Sequence, residues 1–417
     1  MHPHRRQFLR GLLTVAGAAS ASSAAAQHQH PAAARPGTPV RSPIGGASVQ
    51  PRVVTPDVPL LPWRMVEGVK EFQLVAEPVK TEFLPGRRVD AWGFNGHMPG
   101  PTIEITEGDR VRLLVHNNLP EPFSMHWHGL EVPIEMDGGP GISQEPIAPG
   151  GSFTYEFTVH QHGTFFYHSH MAMQELMGMV GFFIAHPRGP ETPRVDRDFG
   201  LIWQGWALLP NNTIPDTMAM EFNWLTMNGK AGPAATPMIA KVGERIRVRN
   251  VNLSMDHHPL HLHGNTFVVT GSEAGRIPPG QWQPGNTVLV GVAQARDVEF
   301  VATREGDWML HCHLPHHMTN QMVSMVGPLM AAHRHDGGAA PQPSAPRGIG
   351  MPDSTLVPGF PQDMAMTMDE AVEKPETFGL RKGWTAGMMG MMTLIRVVSP
   401  GLFDQIAERR ALAGRTA

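Results

Sequence analysis

Apolar and polar residues alternate in short runs along most of this chain, and alternation with a period of two is the signature of half-buried strands. Thr102–Ile105, Val111–His116, Phe153–Val159, Arg245–Val251, Thr287–Val292 and Val298–Ala302 carry the pattern. Helical periodicity is scarce. The runs are rich in Val, Ile, Thr and Phe, and 45 Gly and 40 Pro punctuate them. Short strands with regular turn signals predict sandwiches or barrels. Two such units are expected, because Thr102-Ile-Glu-Ile-Thr-Glu-Gly-Asp-Arg-Val-Arg and Ile239-Ala-Lys-Val-Gly-Glu-Arg-Ile-Arg-Val-Arg share one pattern, each followed by a histidine motif. A duplicated unit is the economical reading.

Outside these runs the pattern changes at both ends. Arg5-Arg6-Gln7-Phe8-Leu9, a short apolar core from Leu12 to Ala19 and the small residues Ala24-Ala25-Ala26 read as a twin-arginine export signal over residues 1–26. The apolar run is too short to span a bilayer, which takes about twenty residues, and no later segment qualifies. Residues 27–58 hold too little apolar content to pack and read as a disordered linker. The first domain is expected over 59–192 and the second over 193–336. Residues 337–417 read as a Gly/Pro/Ala linker and a tail rich in methionine, including Met364, Met366, Met368, Met388, Met389, Met391 and Met392. Thioethers suit Cu(I), so the tail could capture cuprous ion; as a flexible hydrophobe, methionine could equally be packing.

Composition narrows the class. A net charge of −4 offers no basic face for nucleic acid, and a single cysteine excludes an internal disulfide. That cysteine carries the chemistry. In His311-Cys312-His313-Leu-Pro-His-His317-Met-Thr-Asn-Gln-Met322 it stands between two histidines, with His317 five places on and Met322 ten. Two imidazoles, a thiolate and a long axial thioether form a blue-copper site, so Cys312, His317 and Met322 supply three ligands and a histidine from elsewhere the fourth. Successive strand residues face opposite sides. His311 and His313 therefore point away from that copper and are free to hold other metal ions. Three more pairs, His126-Trp-His128, His168-Ser-His170 and His261-Leu-His263, bring the imidazoles beyond what one metal needs.

In these four motifs the sequence resembles the multicopper oxidases, the family of laccases, ascorbate oxidase and cuprous oxidases. The resemblance implies two cupredoxin-like Greek-key domains and four coppers. His258, opening His258-Pro-Leu-His-Leu-His-Gly, would complete the type 1 site with Cys312, His317 and Met322. His126 and His261 would hold the type 2 copper, and His128, His168, His170, His263, His311 and His313 the type 3 pair. Asp137 matches the family's acidic position downstream of the first motif. Met322 would set the type 1 potential toward the lower end of the family's range, since the axial ligand tunes it. Two departures are Pro315, where fungal-type members carry an acid, and Gln144-Glu145-Pro146-Ile147, which lacks the family's disulfide cysteine.

The interval between His170 and His258 is too short for the middle domain of three-domain members, and Ser169 stands where a first-domain type 1 cysteine would sit. This is the two-domain, laccase-like pattern, which implies a homotrimer with the cluster between chains, a heterologous interface that closes. The implied activity is one-electron oxidation of a phenolic, aromatic or metal-ion reductant, Cu(I) or Mn(II), coupled to reduction of O2 to water in the periplasm or outside the cell. Two other readings are a copper-sequestering resistance protein with incidental oxidase activity, and a copper nitrite reductase, which would carry its type 1 site in the first domain.

Overall fold

The structure, a computed structural model, describes residues 50–209, 212–319 and 368–416. The 1–26 signal and Met322 lie outside them. The described chain forms two β-sandwiches. In the first, one sheet runs Met125–His128 (β1), Gly163–Ser169 (β2), Val180–His186 and Gly100–Thr106. The other runs Trp63–Val66, Val69–Leu84, Arg110–Asn117 and Ser152–Thr158, with Arg87–Phe94 paired to Val69–Leu84. Alternation does what it predicts: Val111, Leu113 and Val115 turn inward. They meet Trp127, Phe165 and Phe183 of the facing sheet in one core.

The second sandwich repeats the plan. One sheet contains Arg197–Trp206, Arg245–Asn252, Gln294–Val301 and Phe267–Ser272. The other runs Thr287–Val290, His258–Leu262 (β3), Gly306–Cys312 (β4), Met392–Val398 (β5) and Met238–Lys241. The repeated sequence pattern occupies matching places. In each copy its first strand belongs to the histidine-bearing sheet and its second to the facing sheet. Each copy turns on a glycine with positive φ, 84° at Gly108 and 89° at Gly243, which a side chain would strain.

Two expected boundaries differ. Val53 and Val54, placed in the disordered linker, pair in parallel with Asp198 and Phe199 of the second sandwich, and Val53 is buried. Two residues are too short for a periodic signal. The tail departs further: Met392–Val398 is not an appendage but an interior strand between β4 and Met238–Lys241, buried along its length. Without it the histidine- and cysteine-bearing β4 would be an edge. Its sequence, Met-Thr-Leu-Ile-Arg-Val-Val, shows no alternation of polar and apolar residues, as expected of a strand covered on both faces. The following helix, Pro400–Thr416, seats Ile406 against Ile239 and Val398.

A buried polar cluster joins the sandwiches. Arg249 forks onto Asp198 with both bonds at 2.8 Å and donates to Thr164 Oγ1 on β2 at 2.7 Å, while Thr164 donates to Asp297 Oδ1 at 2.7 Å. All four residues are buried, where bidentate charge-assisted bonds are strongest and most directional.

Candidate metal centre

Two strands and one turn deliver the first set of donors. β3 begins at His258, β4 ends at Cys312, and the short 3-10 turn Pro315–Met318 carries His317. Leu260 pairs with Cys312 across the sheet, and His258, two residues before Leu260, shares its face. Cys312 Sγ lies 3.7 Å from His258 Nδ1 and 3.4 Å from His317 Nδ1, and the two nitrogens are 3.1 Å apart. All three side chains are buried. Three lone-pair donors crowded around one point, with a thiol among them, match the two-histidine, one-cysteine set of blue copper, so the residues fit the metal.

The surroundings aim these donors. Ser254 Oγ meets His258 Nε2 at 2.7 Å and is itself held by Asn252 Oδ1 at 2.9 Å, which leaves Nδ1 of His258 facing the cysteine. Such outer contacts fix ring orientation in metal sites. Asp256 Oδ2 stands 3.8 Å from His317 Nε2. Burial, with His317 and His257 adding to it, pushes His258 down to about 3, so it is a neutral imidazole ready to coordinate. Burial pushes the Cys312 thiol up to about 12. A thiolate there needs a cation to stabilise it.

The remaining imidazoles form two groups. On β1 and β2, ligand atoms of His126, His128 and His168 lie within 4.8 Å of one another, and the His170 ring is 5.3 Å from that of His126. His126 Nδ1 bonds the Asp137 carbonyl oxygen at 2.8 Å, and His168 Nδ1 bonds the Ser169 carbonyl oxygen at 2.9 Å. In each ring the Nε2 atom is left for a metal. On β3 and β4, His263 Nε2 and His311 Nε2 are 3.0 Å apart. His261 Nδ1 bonds the Asn286 carbonyl at 2.8 Å and His311 Nδ1 that of Cys312 at 2.8 Å. The His313 ring is 5.4 Å from that of His311. Among the described residues, ring contacts stay within each group and none crosses between them.

Asp137 therefore touches His126 first through its backbone; its carboxylate is at 3.5 Å. Sequence reading missed Glu175, whose carboxylate stands 3.5 Å from His168 Nδ1 and is pushed up to about 7 by burial. It also missed the Ser254–Asn252 pair. Neither belongs to a histidine motif, and only folding brings them to the rings. Met171 and Met179 pack in the first core, and Met388, Met391 and Met392 lie buried in apolar clusters of the second domain.

Comparisons with known proteins agree with this geometry. Two family models described as multicopper oxidase match residues 76–190 and 209–327. The chain is 42% identical over 246 residues to a copper resistance protein A homolog of Pseudomonas syringae pv. tomato, a match covering 47% of this chain and 42% of that one. It is 30% identical over 310 residues to laccase-2 of Botryotinia fuckeliana, covering 66% of this chain and 51% of that one. These matches thus span about half or less of their relatives' length. Among solved structures, the blue copper oxidase of Nitrosomonas europaea superposes with a TM-score of 0.56 at 31% identity, over 60% of this chain and 81% of that one.

Proposed function

The chain belongs to the multicopper oxidase family, and from that premise we propose that it is a laccase-like copper oxidase coupling one-electron oxidation of a small reductant to four-electron reduction of O2 to water. The observation that carries the reading is the convergence of His258, Cys312 and His317 in a buried pocket whose cysteine is joined by one peptide bond to a histidine of a second imidazole group.

In this reading His258, Cys312 and His317 hold type 1 copper, His126 and His261 type 2, and His128, His168, His170, His263, His311 and His313 the type 3 pair. Bound copper supplies one-electron acceptance at the first site and oxygen reduction at the second. The protein's part is wiring, exclusion and proton supply. Cys312 and its neighbours His311 and His313 make the covalent path between sites, and the alternation of β4 sends their side chains to opposite faces. Burial of the Cys312 site keeps water from the thiolate. Glu175 at His168 and Asp137 at His126 are placed to hold protons beside the rings; Glu175, with its raised carboxyl, can give one up near neutral pH. Pro315 supplies no acid on the other side.

Since no ring contact joins the two imidazole groups among the described residues, the reading includes a homotrimer in which the first domain of one chain completes the cluster of the next. Residues 1–26 would export the folded protein by the twin-arginine route to the periplasm or beyond. No helix among the described residues is long and apolar enough to cross a membrane.

Steady-state oxygen uptake with a phenol, Cu(I), Mn(II) and Fe(II) on one copper-loaded preparation tests the activity. At least one should be turned over, and Cys312→Ser should lose turnover with every reductant together with the blue colour; turnover surviving that change would sink the mechanism. The likeness to a copper resistance protein carries a second reading, copper sequestration with incidental oxidation. Cells in which Cys312→Ser keeps full copper tolerance would favour it.

A further inference from the structure

The sequence offers Met322 as the fourth ligand of the Cys312 site, but the strand pairing brings a different methionine beside Cys312. We infer that the axial thioether comes from Met391, the residue immediately before β5. The inference rests on the reading of His258, Cys312 and His317 as a type 1 copper site.

The register of the sheet carries the argument. β4 and β5 pair antiparallel, with Trp308 opposite Ile395, Met309 opposite Leu394, Leu310 opposite Thr393 and His311 opposite Met392. The next step of that ladder sets Cys312 opposite Met391, and its bond is made: the Cys312 N–H donates to the Met391 carbonyl oxygen at 3.1 Å. Residues directly opposite in an antiparallel pair share a face, with Cβ atoms about 4.5–5.5 Å apart. Met391 therefore stands beside Cys312 on the face that also holds Leu310 and His258. On its other flank the Met391 N–H donates to the His317 carbonyl oxygen at 2.8 Å. One methionine is thus tied by its backbone to two of the three ligands already in place.

Other methionines fail this test. Met392 is opposite His311, on the face away from Cys312, and packs there with Met388, Met309 and Met318. Met238 pairs with Ile395, level with Trp308 rather than Cys312. Met227 belongs to the facing sheet, paired with Trp203. Met391 itself is fully buried and shares the apolar core that contains Cys312. Three rotatable bonds and a soft sulfur let such a side chain reach a weak axial position. Gly390 fits the same picture. With φ 57°, it lets the returning backbone pass so near the His317–Thr319 turn that an added Cβ would sit 2.7 Å from the Thr319 carbonyl oxygen.

The test compares Met391→Leu, Met391→Gln and Met322→Leu in the copper-loaded full chain, reading the type 1 reduction potential, the blue absorption band and the electron paramagnetic resonance spectrum. Met391→Leu should raise the potential and shift the spectra, Met391→Gln should lower the potential, and Met322→Leu should leave all three where the wild type has them. The inference is overturned if Met322→Leu moves the potential or if Met391→Leu does not. Should the Met391 variants fail to fold, Met322→Leu decides alone: unchanged spectra support Met391 and altered ones overturn it. A wild-type protein that binds copper without a blue band would instead refute the type 1 reading beneath.

Discussion

Gly390→Ala probes the return strand and the copper ligand turn together. Gly390 has φ 57°, a region where an L-residue costs about 1–2 kcal/mol. The new Cβ would also fall inside the van der Waals surface of the His317 carbonyl oxygen and lie 2.7 and 2.9 Å from the carbonyl oxygen and amide nitrogen of Thr319. These are backbone atoms, so no rotamer change relieves the contact, and forcing atoms into a packed site costs about 1–3 kcal/mol more. The sum is roughly 2–5 kcal/mol. At about 2–4 °C per kcal/mol for a domain of this size, the unfolding midpoint should fall by roughly 4–20 °C. Calorimetry of the copper-free protein measures it. Displacement of His317 should also weaken the blue absorption after copper loading. Gly387→Ala is the control: it lies three residues upstream, without positive φ and with open space around its Cβ, and should stay within about 0.5 kcal/mol of wild type. If Gly390→Ala were as mild as this control, the chain would not be threaded against the His317 turn, and the placement of Met391 would fall with it.

Two further outcomes follow from a second buried charge cluster, in which Arg245, Arg247 and Arg276 surround Glu299 inside the second domain, and from the separated imidazole groups. Burial alone would raise the Glu299 carboxyl, but Arg247 and Arg276, with Arg245, outweigh it and hold it down at about 2, from an ordinary 4.5. Its stabilisation is complete above 4.5 and is lost as pH falls toward 2, because the unfolded chain takes up the proton first; the amount is roughly 3 kcal/mol. Glu299→Gln should therefore flatten the acid limb of stability in urea titrations of the copper-free protein and cost about 3–5 kcal/mol near neutral pH by leaving buried arginine charge uncompensated; an unchanged acid limb would contradict the assignment. Light scattering of the copper-loaded protein should give the mass of three chains, and a monomeric mass with full activity would end the trimer.

Much of the site could be read from the chain alone, because metal chemistry constrains residue type and short-range spacing. A lone Cys312 between His311 and His313, with His317 following, announces copper by donor softness, and strand alternation assigns these side chains to two faces before any coordinates exist. Strand runs such as Val111–His116 and Arg245–Val251 are similarly local, written in a period of two. What the sequence could not decide depended on distant pairing. Met392–Val398 has the look of a tail because a strand buried on both faces shows no alternation, and only the sheet reveals it as the neighbour of β4. The same pairing puts Met391 opposite Cys312, although Met322 is far closer in sequence. Ser254 reaches His258, Glu175 reaches His168 and Arg249 ties Asp198 to Thr164 only once β-strands cross, and none of these contacts leaves a period or a motif behind. Ligand identity is a property of side-chain chemistry, which sequence determines; ligand choice among chemically equal methionines is a property of register, which only the tertiary structure sets.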